Sequence, residues 1–179
     1  MRNSTELLTQ YAHYHRDRRN IATHLVGVPM IVLALGVLLA RASLDVAGLP
    51  LSAAWLAWAA STAWYLSRGH GLVEWAVSAA VGLLMALAHA LEAGSSTAAW
   101  LGWGLGLFSL GWVIQFVGHY FEGRKPAFVD DLVGLLVGPM FVVAEALFAL
   151  GCCTELRHAM EAGAGPSRLG PAPAALKPR

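Results

Sequence analysis

Seven histidines are spread along the chain, and His13, His15, His24 and His119 keep company with other groups that can bind a metal or move a proton. Asn20 and His24 are i,i+4 neighbours, which puts them on one face of any helix that runs through both. Gln115, His119 and Glu122 are spaced i, i+4 and i+7, again a single helical face. Asp17 has the chemistry of an N-cap, which predicts a helix from Arg18 onward. In an unbroken helix His15 and His24 would point about 180° apart, at about 100° per residue, so a shared site requires a break at Asp17. Two imidazoles from one region and one from another, with a carboxylate nearby, suit a first-row metal such as iron or zinc. The same residues also suit interfacial anchors at helix ends. His70, His89 and His158 read as structural. Arg124 and Lys125 read as topology-setting charges or as a carboxylate-binding pair. Glu145 is a buried partner for one of those cations or a carboxylate supporting the site.

The elements that must position these residues are apolar. The sequence is 57% hydrophobic and 13% charged, about half the charge of an ordinary soluble domain. Its mean hydropathy of +0.57 has the same meaning. Five apolar stretches run over residues 21–40, 51–66, 72–91, 100–118 and 132–150. A helix needs about 20 residues to cross the hydrocarbon, and the second stretch is marginal by that measure. All five are apolar around the whole helix and lack period-2 alternation, which predicts lipid-facing helices and excludes a β-barrel. The expected fold is all-α, a polytopic transmembrane helical bundle with four or five hydrophobic segments. The last segment, carrying Pro139 and Glu145, is expected to be re-entrant or interfacial and broken near Pro139, with a true fifth crossing as the alternative. Residues 1–162 form one membrane-embedded domain, and the Gly/Pro/Ala-rich residues 163–179 read as a disordered tail. Gly102 with Gly106, and Gly134 with Gly138, have helix-packing spacing and offer faces for a homo-oligomer.

Arginines before the first stretch (Arg2, Arg16, Arg18, Arg19), Arg68, and Arg124 with Lys125 alternate with connections poor in basic residues. The positive-inside rule then puts the N-terminus, and with it the ends carrying His15, His24, His70 and His119, in the cytoplasm. The Ala-, Leu- and Arg-rich composition points to a bacterial inner membrane. Met1 to Asn20 has no signal-peptide pattern. A net charge of +1 without a basic stripe excludes nucleic acid as a partner. Cys152 and Cys153 are adjacent and read as plain apolar residues.

Two blocks of residues carry a resemblance. The first is Tyr11-Ala-His-Tyr-His15 followed by Asn20, His24, Gly27 and Pro29. The second is Gly111-Trp-Val-Ile-Gln115-Phe-Val-Gly-His119, then Phe121-Glu122, Lys125-Pro126-Ala127, Asp130, Asp131, Leu132, Pro139 and Glu145. In that order they resemble the Mpo1-like family; the middle of the chain matches only in being hydrophobic. The resemblance implies a membrane-embedded iron(II)-dependent dioxygenase. Its reaction would be α-oxidation, shortening 2-hydroxy fatty acids by one carbon with release of CO2. It implies His15, His24 and His119 as iron ligands, and Asn20, Gln115 and Glu122 as groups at or beside the metal. Lys125 or Arg124 would pair with the substrate carboxylate, while His13 falls outside the core of the pattern. Partners would be a 2-hydroxy fatty acid, O2 and membrane lipid.

Other readings differ in their observables. A non-catalytic membrane scaffold or transporter would bind no iron. A haem or quinone carrier with paired transmembrane histidines would, for haem, show a Soret band. A di-iron hydroxylase or desaturase needs about eight clustered histidines including H-x-x-H-H, an arrangement missing from this sequence.

Overall fold

A computed structural model describes residues 2–46, 48–69, 71–126 and 131–170. His70 lies outside the described residues, as do Ala127 and Asp130 of the second block and residues 171–179.

The chain opens with α1 (Ser4–Ala12), begun by a capping box in which Asn3 and Glu6 satisfy each other's backbone N–H groups. A short turn follows. Asp17 then caps α2 (Arg18–Ala40), its side chain accepting from the Arg19 N–H, so the expected break falls where the sequence placed it. The connection after α2 is a hairpin of β1 (Ser43–Val46) and β2 (Leu49–Ser52), too short to register as alternation in the sequence. Asp45 accepts from the Gly48 N–H, and Gly48 takes the positive φ that such a turn favours. Next come α3 (Ala53–Leu66), α4 (Leu72–Glu92), α5 (Thr97–Glu122), α6 (Gly134–Ala149) and α7 (Thr154–Ala164).

Three of these helices, α2, α4 and α5, are long and apolar enough to cross a membrane. Their outward faces stay apolar, with Leu83 of α4 and Trp103, Val113 and Phe116 of α5 all exposed, a surface suited to lipid and not to water. At 14 residues α3 rises only about 21 Å, short of a full crossing. The last apolar stretch corrects one expectation. Helix α6 runs continuously through Pro139, and the break comes after it, where Gly151 and Cys153 adopt positive φ. There the chain bends by 117° into the amphipathic α7. Proline is accommodated inside α6 as it is at Pro29 inside α2, whereas the positive-φ pair cannot continue a helix.

The packed interior lies where α1 and α7 close over α4 and α6, with Leu8, Tyr65, Val77, Met140 and Phe141 buried together. On the other side α2 packs chiefly against α5. Their crossing is a backbone contact: a Cβ at Gly27 would lie 2.9 Å from the Gly111 carbonyl oxygen, and one at Gly111 would lie 2.7 Å from Ile31. The other glycine spacing in α5 has a different outcome. A Cβ added at Gly102 or Gly106 meets nothing within 4 Å, while Gly104 between them is the residue pressed onto Leu38 of α2.

The stretch read as a tail from residue 163 begins as ordered chain. Helix α7 continues to Ala164, and Arg168 then exchanges backbone hydrogen bonds with the turn before α2. The N–H of Arg168 donates to the Arg16 carbonyl and the N–H of Arg18 to the Arg168 carbonyl, both at 2.8 Å.

Candidate metal centre

The three histidines of the two blocks converge. His15 comes from the turn between α1 and α2, His24 from the second turn of α2, and His119 from the last turn of α5. All three are buried, and their available ligand nitrogens lie within 4.8 Å of one another. Among the described residues no other such group of histidine, cysteine and carboxylate ligands is found.

Two of the three rings are oriented by backbone carbonyls. Nδ1 of His15 donates to the Tyr11 carbonyl at 2.8 Å, and Nδ1 of His24 to the Asn20 carbonyl at 2.9 Å. A carbonyl can only accept, so both Nδ1 atoms carry the proton and both Nε2 atoms present lone pairs. Those two Nε2 atoms lie 3.1 Å apart. Nδ1 of His119 is buried with no partner at all. Burial holds the His15 imidazolium well below its ordinary range, and neighbouring His24 and His119 lower it further. Facing lone pairs and an orphaned buried nitrogen fit a divalent first-row cation, which neutral imidazoles bind well. Anchoring of the non-ligating nitrogen is the usual companion of such a site.

Aromatic rings support the cluster. Tyr11 stacks on His15 with centroids 4.1 Å apart and planes within 6°, and Phe141 of α6 approaches the same ring at 5.4 Å. Neither contact was assigned a role from sequence, although the i,i+4 spacing of Tyr11 and His15 was visible.

Glu122 is fully buried, one turn beyond His119, and is taken up by hydrogen bonds. Its Oε2 accepts from the N–H of Arg16 at 2.9 Å, the N–H of Asp17 at 2.7 Å and the Asn20 amide at 3.2 Å. Its Oε1 pairs with Arg168 at 3.2 Å. Glu122 therefore ties the end of α5 to the start of α2, fixing His119 relative to His15 and His24. Asn20 is buried and donates as well to the Tyr14 carbonyl, at 3.1 Å. The helices meet closely there, since a Cβ at Gly118 would lie 2.5 Å from Asn20 Oδ1. The Arg19 guanidinium beside Asp17 holds that capping carboxyl down to about 2.

The remaining candidates separate. Gln115 is buried and lines a cavity of about 310 Å³ between α2, α5 and α6, which reaches His24 and His119 at one end. Its other walls are apolar, among them Val28, Leu35, Phe108 and Leu135. From His24 to Leu35 is three turns of α2, about 16 Å. Lys125 is exposed, next in sequence to Pro126, which lines the cavity. Arg124 donates to the His13 carbonyl, and His13 itself is exposed at the end of α1. Glu145 pairs with Arg16 at 3.3 Å, not with Arg124 or Lys125. His89 hydrogen-bonds Ser52 and stacks on Trp55, away from the cluster, and His158 is exposed on α7.

The model of one protein family, described as 2-hydroxy-palmitic acid dioxygenase Mpo1-like, matches residues 1–150. That range contains all three histidines and every helix that orients them. The chain belongs to the Mpo1-like family. Within it, a stretch of 59 residues is 49% identical to the 2-hydroxy-palmitic acid dioxygenase MPO1 of Saccharomyces cerevisiae. The match covers 32% of this chain and 34% of the yeast protein, so it spans about a third of that relative's length. No solved structure matches the chain. The Mpo1-like match ends before α7 and the segment that carries Arg168.

Proposed function

We propose that this chain is a non-haem Fe(II) dioxygenase that converts 2-hydroxy fatty acids to acids one carbon shorter, releasing CO2. One observation carries the reading: the three-histidine cluster stands at the end of an apolar cavity between α6 and two helices, α2 and α5, long enough to cross a membrane. Membership of a family described as 2-hydroxy-palmitic acid dioxygenase Mpo1-like supports the dioxygenase and the 2-hydroxy acid substrate class.

The stoichiometry closes without an external reductant. A 2-hydroxy acid and O2 give the shortened acid, CO2 and water, the C1–C2 bond breaking as C2 is oxidised to the new carboxyl. A ferrous ion held by His15, His24 and His119 would supply O2 activation and a chelation point for the hydroxyl and carboxylate oxygens. Three protein ligands leave room for both. The rest of the work falls to the chain. Gln115 offers an amide to the polar end of the substrate inside the cavity. Lys125 supplies the cation for the carboxylate. Asn20 and Glu122 hold the ligand-bearing turn. The apolar walls from Val28 to Leu35 take the acyl chain out of water, and the reactive end is kept dry by Tyr11 and Phe141. Substrate would enter from the lipid, and the basic residues around the site support a cytoplasmic face for it, in a bacterial inner membrane. The open Gly102/Gly106 face of α5 is available to a second copy of the chain.

The test is incubation of detergent-purified, iron-loaded protein with a 2-hydroxy fatty acid under O2 and under argon. An (n−1) acid and CO2 formed only with O2 support the reading. Full activity in His119→Ala would sink it.

A further inference from the structure

Residues 165–170 lie beyond the range matched by the family model, yet they touch the groups that position the metal ligands. Five contacts make the connection. Arg168 pairs through its side chain with the buried Glu122 at 3.2 Å. Its backbone is bonded on both sides, to Arg16 and to Arg18. The Gly170 N–H donates to Asp17 Oδ2 at 3.0 Å. The buried Arg16 guanidinium donates to the Gly165 carbonyl at 3.0 Å, and from its Nε to the His15 carbonyl at 2.9 Å.

The turn 15–17 therefore has no free side. Glu122 holds its N–H groups from α5, Arg16 holds the His15 carbonyl, and residues 165–170 meet it through one parallel bridge, Asp17 with Arg168. The charges interlock as well. Glu122 is a buried carboxylate paired directly with Arg168, which comes from beyond α7, with the Arg16 guanidinium also within electrostatic reach. A buried carboxylate left without its paired cation is costly and relaxes towards solvent. That movement loosens the N–H contacts that orient the turn.

We infer that residues 165–170 are a positioning strap for the metal centre, with Arg168 acting through Glu122 on the turn that carries His15. The inference rests on the three-histidine site being a metal site. Arg168 touches neither ligand nitrogen nor cavity, so it is a positioning residue. Its effect is on how well the histidines are held, and hence on metal affinity.

The experiment is titration of the full-length, detergent-solubilised protein with Co(II), read by the visible ligand-field bands. Arg168→Ala and Arg168→Gln should weaken Co(II) binding about tenfold, the size typical of groups that orient metal ligands, and alter the band shape. Arg168→Lys, which restores the charge, should recover most of the loss. Glu122→Gln alone should also bind more weakly, and adding Arg168→Ala to it should change affinity less than about twofold, because the two act as one unit. Unchanged affinity in both neutral variants overturns the inference, as does a full further tenfold loss in the double variant. Absence of Co(II) binding by the unaltered protein overturns the metal reading, and the strap's role with it.

Discussion

Nε2 of His15 and Nε2 of His24 face each other at 3.1 Å while both Nδ1 atoms donate to backbone carbonyls. Two lone pairs at that distance repel unless something positive lies between them, and both rings are buried. The fold therefore holds an electrostatic demand that a cation meets.

That demand makes metal a stabilising ligand. Fe(II) or Co(II) at 100 times its dissociation constant should raise unfolding stability by about 2.7 kcal/mol. The gain should vanish in His24→Ala, followed by thermal melting in detergent with and without metal. An equal rise in both proteins would show that the histidines are not the site.

Acid should destabilise the metal-free protein. His15 has its proton affinity lowered in the folded state, so the unfolded chain takes up a proton first as pH falls. The contribution is fully present above about pH 6.5, the ordinary histidine value, and is lost progressively below it. Denaturant melts between pH 8 and 5 should show this slope, and His15→Gln should flatten it. An identical slope in the variant would assign the effect elsewhere.

Glu122→Gln should cost about 2–4 kcal/mol, because a charged acceptor of three N–H donors and one guanidinium becomes a neutral amide with donors of its own. Equilibrium unfolding measures this directly, and a loss below 1 kcal/mol would mean the turn is held by other contacts.

The α2–α5 crossing predicts opposite outcomes for two glycines on one helix. Gly111→Ala forces a methyl into the Gly27 carbonyl and Ile31, and should destabilise by about 1–3 kcal/mol and weaken metal binding. Gly102→Ala meets open space and should be neutral or mildly stabilising, since alanine is the better helix former. Similar effects at both sites would place the close approach elsewhere.

Cavity shape should set substrate length. Leu35→Trp narrows the wall three turns from His24, and should reduce turnover of long 2-hydroxy acids while sparing short ones. Product chromatography across a chain-length series checks this, and a uniform loss would argue against an acyl chain in that cavity.

Much of this arrangement was legible in local spacing. Asp17 reads as a cap, and Asn20 with His24 and His119 with Glu122 read as helical faces, because helix periodicity is a short-range code. Hydropathy likewise identified α2, α4 and α5, whose apolar runs are long. What escaped was set by contacts between distant parts of the chain. Arg16 and Arg168 look like topology charges and tail composition, and only folding shows Arg16 against the half-buried Glu145 and Arg168 against the buried Glu122. The hairpin over residues 43–52 is too short to signal itself, and the bend after α6 arises from positive φ at Gly151 and Cys153, where Pro139 was the more conspicuous breaker.

The three ligands reach the site from separate stretches of the chain, and this orders the molecule's assembly. His15 and His24 leave the ribosome before α4, His119 only after α4 has been made, and Arg168 later still. Until α5 has inserted beside α2 there is no pocket of nitrogens for a metal to enter. On the proposed reading, metal loading would follow insertion of α5, and a chain stalled before α5 would present two imidazoles and no centre.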